Sequence, residues 1–270
     1  MDELQEILNR IIEKAKANST ESTSQNSNSR DESVGCPECN YQGVVMIDSR
    51  TVRLCECRER LKLQRLFESS KITPAFRATT FESFAMVDRP AIIHSMFKSA
   101  LDYSRRFNEI KNDKNNWLVL LGEPGSGKTH LTMAVANEKI NERVKTLYFQ
   151  HVEGINEMKD ILRAGEESLR EKVREMQQVE FLVWDDLFKP TIENQGKDKG
   201  KPKLPTAFEI EKAFEVLNYR YLNLLPTAIS SERTPKELIG IDKATGSRIL
   251  ERGKGHLVVV EGIENNYRLI

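Results

Sequence analysis

An α/β architecture, with a parallel sheet sandwiched between helices and a small cysteine module ahead of it, is what the 270-residue chain predicts. Three observations predict it. Gly122-Glu123-Pro124-Gly125-Ser126-Gly127-Lys128-Thr129 fits the G-x-x-x-x-G-K-[ST] phosphate loop at every fixed position, between an apolar run and a helix-compatible segment. Apolar strands alternate with helical stretches from Trp117 to Ser230. All four cysteines fall between positions 36 and 57.

Composition bounds the rest. Lysine plus arginine and aspartate plus glutamate each number 41, so the net charge names no partner and any basic surface must be local. No apolar run approaches the ~18 residues of a membrane span. The acidic, amphipathic amino terminus is unlike a secretory signal. A cytoplasmic protein with no membrane partner is expected.

Taking the elements in order, Leu4, Ile7, Leu8, Ile11, Ile12 and Ala15 predict an amphipathic helix over residues 2–17. Residues 18–33 are rich in serine, asparagine and threonine and read as a flexible linker. A short helix on such a tether cannot bury its stripe alone, so it packs back on the chain or docks on a partner. Residues 34–70 follow as a module with two close cysteine pairs, Cys36 with Cys39 and Cys55 with Cys57. Beside a cytosolic-type nucleotide site disulfides are disfavoured. Two pairs around a hairpin-length insert match tetrahedral Zn²⁺ thiolate ligation, although the second pair has one intervening residue instead of two. Arg58 to Phe67 then reads as a basic helix ended before Pro74.

The core is expected over residues 71–270. A helix from Arg89 to Asn108 leads into the strand Trp117–Leu121 and the phosphate loop. There Gly122, Glu123, Pro124, Gly125, Ser126, Gly127, Lys128, Thr129 and His130 would cradle a nucleoside triphosphate. Lys128 would reach the β and γ phosphates, and the Thr129 hydroxyl would ligate Mg²⁺. Further strands are expected at Thr146–Gln150, Phe181–Trp184 and Pro226–Ser230, with helices within Val152–Gln177 and at Ala207–Leu222. The buried strand ending in Asp185-Asp186 fits the acidic partner of a phosphate loop: Asp185 in the Mg²⁺ shell, Asp186 orienting the attacking water or capping a helix. Lys189, Lys197, Lys199, Lys201 and Lys203 mark a loop over 189–203 that is either simply solvated or a mobile contact for nucleic acid or a neighbouring subunit.

With both motifs in place, the chain resembles the bacterial replicative helicase loaders, the DnaC/DnaI-like branch of the AAA+ P-loop ATPases. The resemblance also rests on Phe214–Tyr221, Leu225–Glu232, Gly246-Ser247-Arg248-Ile249-Leu250-Glu251-Arg252 and the late Asn266-Tyr267-Arg268. It implies an AAA+ core with a reduced helical lid, slow and oligomer-dependent ATP hydrolysis, and self-association through the ATP sites. It further implies a hexameric replicative helicase and single-stranded DNA as partners. Residue by residue, it places Arg252 as the arginine finger toward an adjacent copy, with Arg248 as the alternative, and Arg268 as the sensor 2 arginine. Ser231-Glu232 falls at sensor 1, where the family often has asparagine; glutamate cannot donate a hydrogen bond, so either Ser231 takes the polar contact or hydrolysis is slow. Two other readings share this core: an IstB-type transposition helper, a class that normally lacks the cysteine module, and an ATP-binding switch with little turnover.

Overall fold

The computed structural model describes residue 36 and residues 38–39, 44–47, 52–192 and 202–269. The expected helix 2–17, the linker 18–33 and Lys197, Lys199 and Lys201 lie outside the described residues. The chain divides into two compact units between Ser69 and Ser70.

In the first unit, β1 (Val44–Met46) and β2 (Val52–Leu54) pair antiparallel. The two cysteine pairs flank these strands in sequence, and α1 (Cys57–Ser69) opens on the fourth cysteine. The four cysteine side chains are buried, with Val45 packed on them. So small a cluster cannot supply the folding energy of a module by itself.

The second unit begins with a single helical turn, α2 (Pro74–Arg77), which carries proline at its start, where a missing N–H costs nothing. Then follow α3 (Ala91–Arg105), the short α4 (Phe107–Ile110) and β3 (Trp117–Gly122). After the phosphate loop come α5 (Lys128–Asn141), β4 (Thr146–Gln150), α6 (His151–Ala164), α7 (Glu166–Gln178) and β5 (Phe181–Asp185). A two-residue ribbon, β6 (Thr191–Ile192) with β7 (Pro202–Lys203), precedes α8 (Ala207–Leu222) and β8 (Thr227–Ser231). Last come α9 (Pro235–Ile241), α10 (Lys243–Arg252) and β9 (His256–Val260).

The sheet order is β4-β5-β8-β3-β9, and every pairing is parallel. All six residues of β3 are buried, as a strand covered on both faces requires. Trp117, Val119, Leu121, Leu147, Phe149, Leu182, Trp184 and Ile229 pack in one cluster with residues of α6 to α10. Phe181 instead meets Tyr103 and Phe107, at 6.1 and 5.3 Å between ring centroids. Trp184 is fully buried and donates its indole N–H to His151 Nδ1 at 3.2 Å. Burial holds that imidazole neutral, its pKa down at about 4.

Arg220 is a buried cation at the base of the sheet. Its Nε donates to Thr227 Oγ1, Nη1 to the carbonyls of Met176, Gln177 and Val179, and Nη2 to that of Pro226. The side chain thereby ties the end of α7 to the start of β8.

The expected α/β fold is present, with its parallel sheet between helices. The long helix of 89–108 is broken after Arg105 into α3 and α4. The edge strand β9 was not expected from the sequence, although Leu257–Val260 is a plain apolar run behind two glycines. Beyond it the described chain makes only two 3₁₀ turns, Ile263–Asn265 and Tyr267–Leu269, so no helical lid follows the sheet there.

Candidate functional site

Parallel strands deliver their carboxyl ends to one edge, and the site sits at that edge. A cleft of about 570 Å³ is lined by Pro124, Gly125, Gly127, Lys128, Thr129 and His130 from the phosphate loop and α5. Asp185, Asp186 and Glu232 come from the ends of β5 and β8, and Tyr267 and Arg268 from the terminal turn. Its volume suits a nucleotide-sized ligand.

The loop is shaped by left-handed glycines. Gly125 has φ +69°, and a Cβ there would stand 2.0 Å from Asn266 Oδ1. Gly127 has φ +100°, and a Cβ would meet Phe84 Cε2 at 2.5 Å. No other residue fits either position without moving a neighbour. The tail does fold onto the loop: Tyr267 N donates to Gly125 O at 3.1 Å, and the Arg89 guanidinium lies 4.7 Å from the Tyr267 ring centroid. That is how Arg268, so late in the chain, comes to line the cleft.

Lys128 is 5% exposed, and its Nζ donates to Gly122 O at 2.8 Å and Glu123 O at 2.6 Å. Burial pulls its pKa down to about 8, against the pull of Glu232, Asp186 and Asp185. Glu123 also anchors the loop by accepting from Ser126 Oγ through its carbonyl. His130 is held through Nε2 by Thr80 O at 2.9 Å and Ser83 Oγ at 3.2 Å.

The two expected Mg²⁺ ligands are adjacent. Thr129 Oγ1 donates to Asp185 Oδ1 at 2.9 Å. Ser230 Oγ donates to the same oxygen, and Tyr148 OH donates to Oδ2 at 3.1 Å. Burial raises the pKa of Asp185, a penalty that a bound cation would reverse. A hydroxyl beside a carboxylate is the hard oxygen pair that suits Mg²⁺.

Two residues differ from expectation. Ser231 does not line the cleft: it is fully buried, its Oγ donating to Leu187 O at 2.6 Å and accepting from Arg233 N at 3.1 Å. The cause is strand alternation, which turns Ser231 inward and Glu232 toward the cleft. Arg252 is not presented on the surface of this copy. It is 6% exposed, donates to Lys114 O at 2.8 Å and to Tyr221 O, and lies 4.4 Å from the Tyr221 ring centroid. Arg248 stands half-buried over Phe214 and Tyr221, at 5.5 and 5.4 Å. The sequence reading missed Tyr148 and the wall formed by Thr73, Phe76 and Thr79, and it put Lys189 in the lysine-rich loop rather than in the cleft. The position of Lys189 three residues past Asp186 was the available signal for a place in the cleft.

In the first unit the ligand atoms of Cys36, Cys39, Cys55 and Cys57 all lie within 4.8 Å of one another. Cys36 and Cys55 sulfurs are 3.7 Å apart, close to the ~3.8 Å edge of a tetrahedron with Zn–S near 2.3 Å. The amides of Cys39 and Glu38 hold the Cys36 thiol down at about 7. The Cys39 sulfur beside it pushes Cys57 up to about 12. Four crowded sulfurs cannot all be thiolates without a cation between them, so the set fits a metal.

Among the described residues no helix is long and apolar enough to cross a membrane. The model of the IstB-like ATP binding protein family matches residues 58–199, more than half of the chain. The phage-like element PBSX protein XkdC of Bacillus subtilis (strain 168) is 37% identical over 240 residues, 87% of this chain and 86% of that one. From the same organism, YqaM is 39% identical over 218 residues, 80% of this chain. The replicative helicase loader DnaI, also from Bacillus subtilis, is 25% identical over 206 residues, 73% of this chain. The chain spans only 66% of YqaM and 60% of DnaI. Among solved structures, AMPPCP-bound DnaA from Aquifex aeolicus is similar with a TM-score of 0.53 at 21% identity, over 74% of this chain and 54% of that one. With a phosphate loop, its acidic strand and the parallel sheet in place, this chain belongs to the IstB-like ATP binding proteins, the IstB/DnaC-like branch of the AAA+ P-loop fold.

Proposed function

We propose that this protein is a cytoplasmic, ATP-driven loader that delivers a hexameric replicative helicase to single-stranded DNA. It would take the helicase through its amino-terminal region and ATP and DNA through the core. The observation that carries the ATP-dependent part is the convergence of Lys128, Thr129, Asp185, Asp186 and Arg268 on one cleft. Similarity to the loaders supports the rest, together with the cysteine module and the resemblance in the carboxy-terminal motifs.

In this reading Lys128 and Arg268 hold the phosphate tail, and Asp186 orients the water that attacks the γ-phosphorus in line. Thr129 and Asp185 would hold Mg²⁺, which would supply charge neutralisation to the phosphate tail when bound. Copies assembling side by side would supply an arginine in trans. Arg252 would then leave its seat on Tyr221, or Arg248 would serve, and such a contribution is worth about 10³–10⁵ in rate in related hydrolases.

Capture of purified replicative helicase by the full chain with ATP and Mg²⁺ tests the loader. Deleting residues 1–60 should abolish capture; retained capture would contradict the assignment. The transposition-helper reading predicts no helicase capture and binding to double-stranded DNA with a transposase instead.

A second expectation concerns the cysteines. Metal analysis should find one zinc per chain, and a chelator should release it while exposing four titratable thiols. Cys57→Ser should lower zinc retention and leave nucleotide binding by residues 70–270 intact. Four reactive thiols in the protein as purified with added zinc would refute a metal site.

A further inference from the structure

Lys189, the first lysine of the 189–203 run, enters the nucleotide cleft, where the proposed function gives it no part. Its Nζ lies 2.5 Å from Asp186 Oδ2 and 3.6 Å from Glu232 Oε1. All three side chains are sheltered, at 35%, 15% and 16% exposure.

The backbone that presents them is pinned. Asp186 and Phe188 both adopt left-handed conformations, at φ 55° and 53°. For residues other than glycine each such conformation is costly and persists only where the surroundings impose it. The surroundings here are β8. Asp186 N donates to Ser230 Oγ at 2.9 Å, and Leu187 N to Ser230 O at 2.9 Å. Ser231 Oγ holds Leu187 O, and Arg233 Nε holds Phe188 O at 2.9 Å. Glu232 therefore stands between two residues that clamp the turn carrying Lys189. Both ends of the Lys189–Glu232 pair are fixed by one hydrogen-bonded frame.

Charge gives the pair a purpose. Glu153, Asp185, Asp186 and Glu232 all line the cleft, against the cations Lys128, Lys189 and Arg268. A bare Glu232 would repel a triphosphate tail. A lysine ammonium has three N–H donors; Asp186 engages one, while Glu232 faces the ammonium as an ion pair at 3.6 Å, which leaves donors for a phosphate oxygen. Resting on the ATP-site reading above, we infer that Lys189 contacts the terminal phosphate in cis. Glu232 and Asp186 are its holders, so a Lys–Glu pair does here what a single neutral donor could do at the end of β8.

Calorimetry with Mg²⁺ and either AMP-PNP or ADP tests this, alongside steady-state ATP turnover. Lys189→Ala should weaken AMP-PNP binding about tenfold and leave ADP binding within about twofold, because only the former has the third phosphate. Glu232→Asn placed on Lys189→Ala should restore most of the loss, since the repelling carboxylate is gone and an amide can donate. Lys189→Arg should keep the preference. Equal weakening of both nucleotides would overturn the inference, as would an unchanged ratio. Faster turnover in Lys189→Ala would do so too, because Lys189 would then be restraining Asp186. Binding of neither nucleotide by the unaltered protein would instead remove the ATP-site reading, and this inference with it.

Discussion

Lys128→Ala should lower ATP turnover by about 10³-fold or more and weaken ATP binding by over about tenfold. The side chain is 5% exposed, at the point where the loop, β5 and β8 converge, with no other buried cation in the described lining of the cleft. Its partners in the structure are the Gly122 and Glu123 carbonyls and, more distantly, Ser126 Oγ, so an anion entering the loop takes over an ammonium already aimed at it. Truncation removes charge stabilisation where charge develops, while the loop carbonyls can turn to water. The melting temperature should hence change little. A companion result follows from the lowered pKa. Below about pH 8 the free amine is already charged and binds directly. Above pH 8 it must first take up a proton, so ATP affinity should fall by up to about tenfold per pH unit until the amine of the bound state itself titrates. Turnover of the variant within tenfold of the unaltered protein would refute the role.

The largest stability loss is expected from Arg220→Ala, far from any chemistry. Truncation strips donors from the carbonyls of Met176, Gln177, Val179 and Pro226 and leaves a cavity in a fully buried place. The expected cost is roughly 3–5 kcal/mol, a large part of the ~5–15 kcal/mol that holds a typical domain together. In thermal denaturation this amounts to about 10 °C. Arg220→Lys should fall between the two, because one ammonium cannot span what the guanidinium fork spans. A loss under about 1 kcal/mol would show that the carbonyls find other donors.

Arg220 also shows where sequence reasoning ran out. It lies within Phe214–Tyr221, a stretch that served only to carry a family resemblance, because its partners are backbone carbonyls and one hydroxyl, and no acid in the sequence marks it. The phosphate loop and Asp185-Asp186 were legible because backbone cradles and acidic strand ends demand fixed residue types at fixed spacing. The cysteine cluster was legible for the same reason. Ser231 was misplaced because a linear motif does not say which of two neighbouring strand residues faces in. Arg252 was expected outward, yet the aromatic face of Tyr221, thirty-one residues away, gives its guanidinium a seat within its own copy. Arg268 posed the opposite problem. It was expected in the site, and what the sequence did not show was the means: Asn266 and Tyr267 pack against Gly125 and bring it there.

Trp184 gives the molecule a built-in optical gauge. The chain has two tryptophans, Trp117 and Trp184, both wholly shielded from water, so their emission should lie toward the blue. Trp184 adjoins Asp185 along β5, and its indole rests on an imidazole that stays neutral, hence weakly quenching, at any pH used to assay nucleotides. Occupation of the cleft and rearrangement of the Asp185–Lys189 turn can therefore be followed by intrinsic fluorescence, with no dye attached.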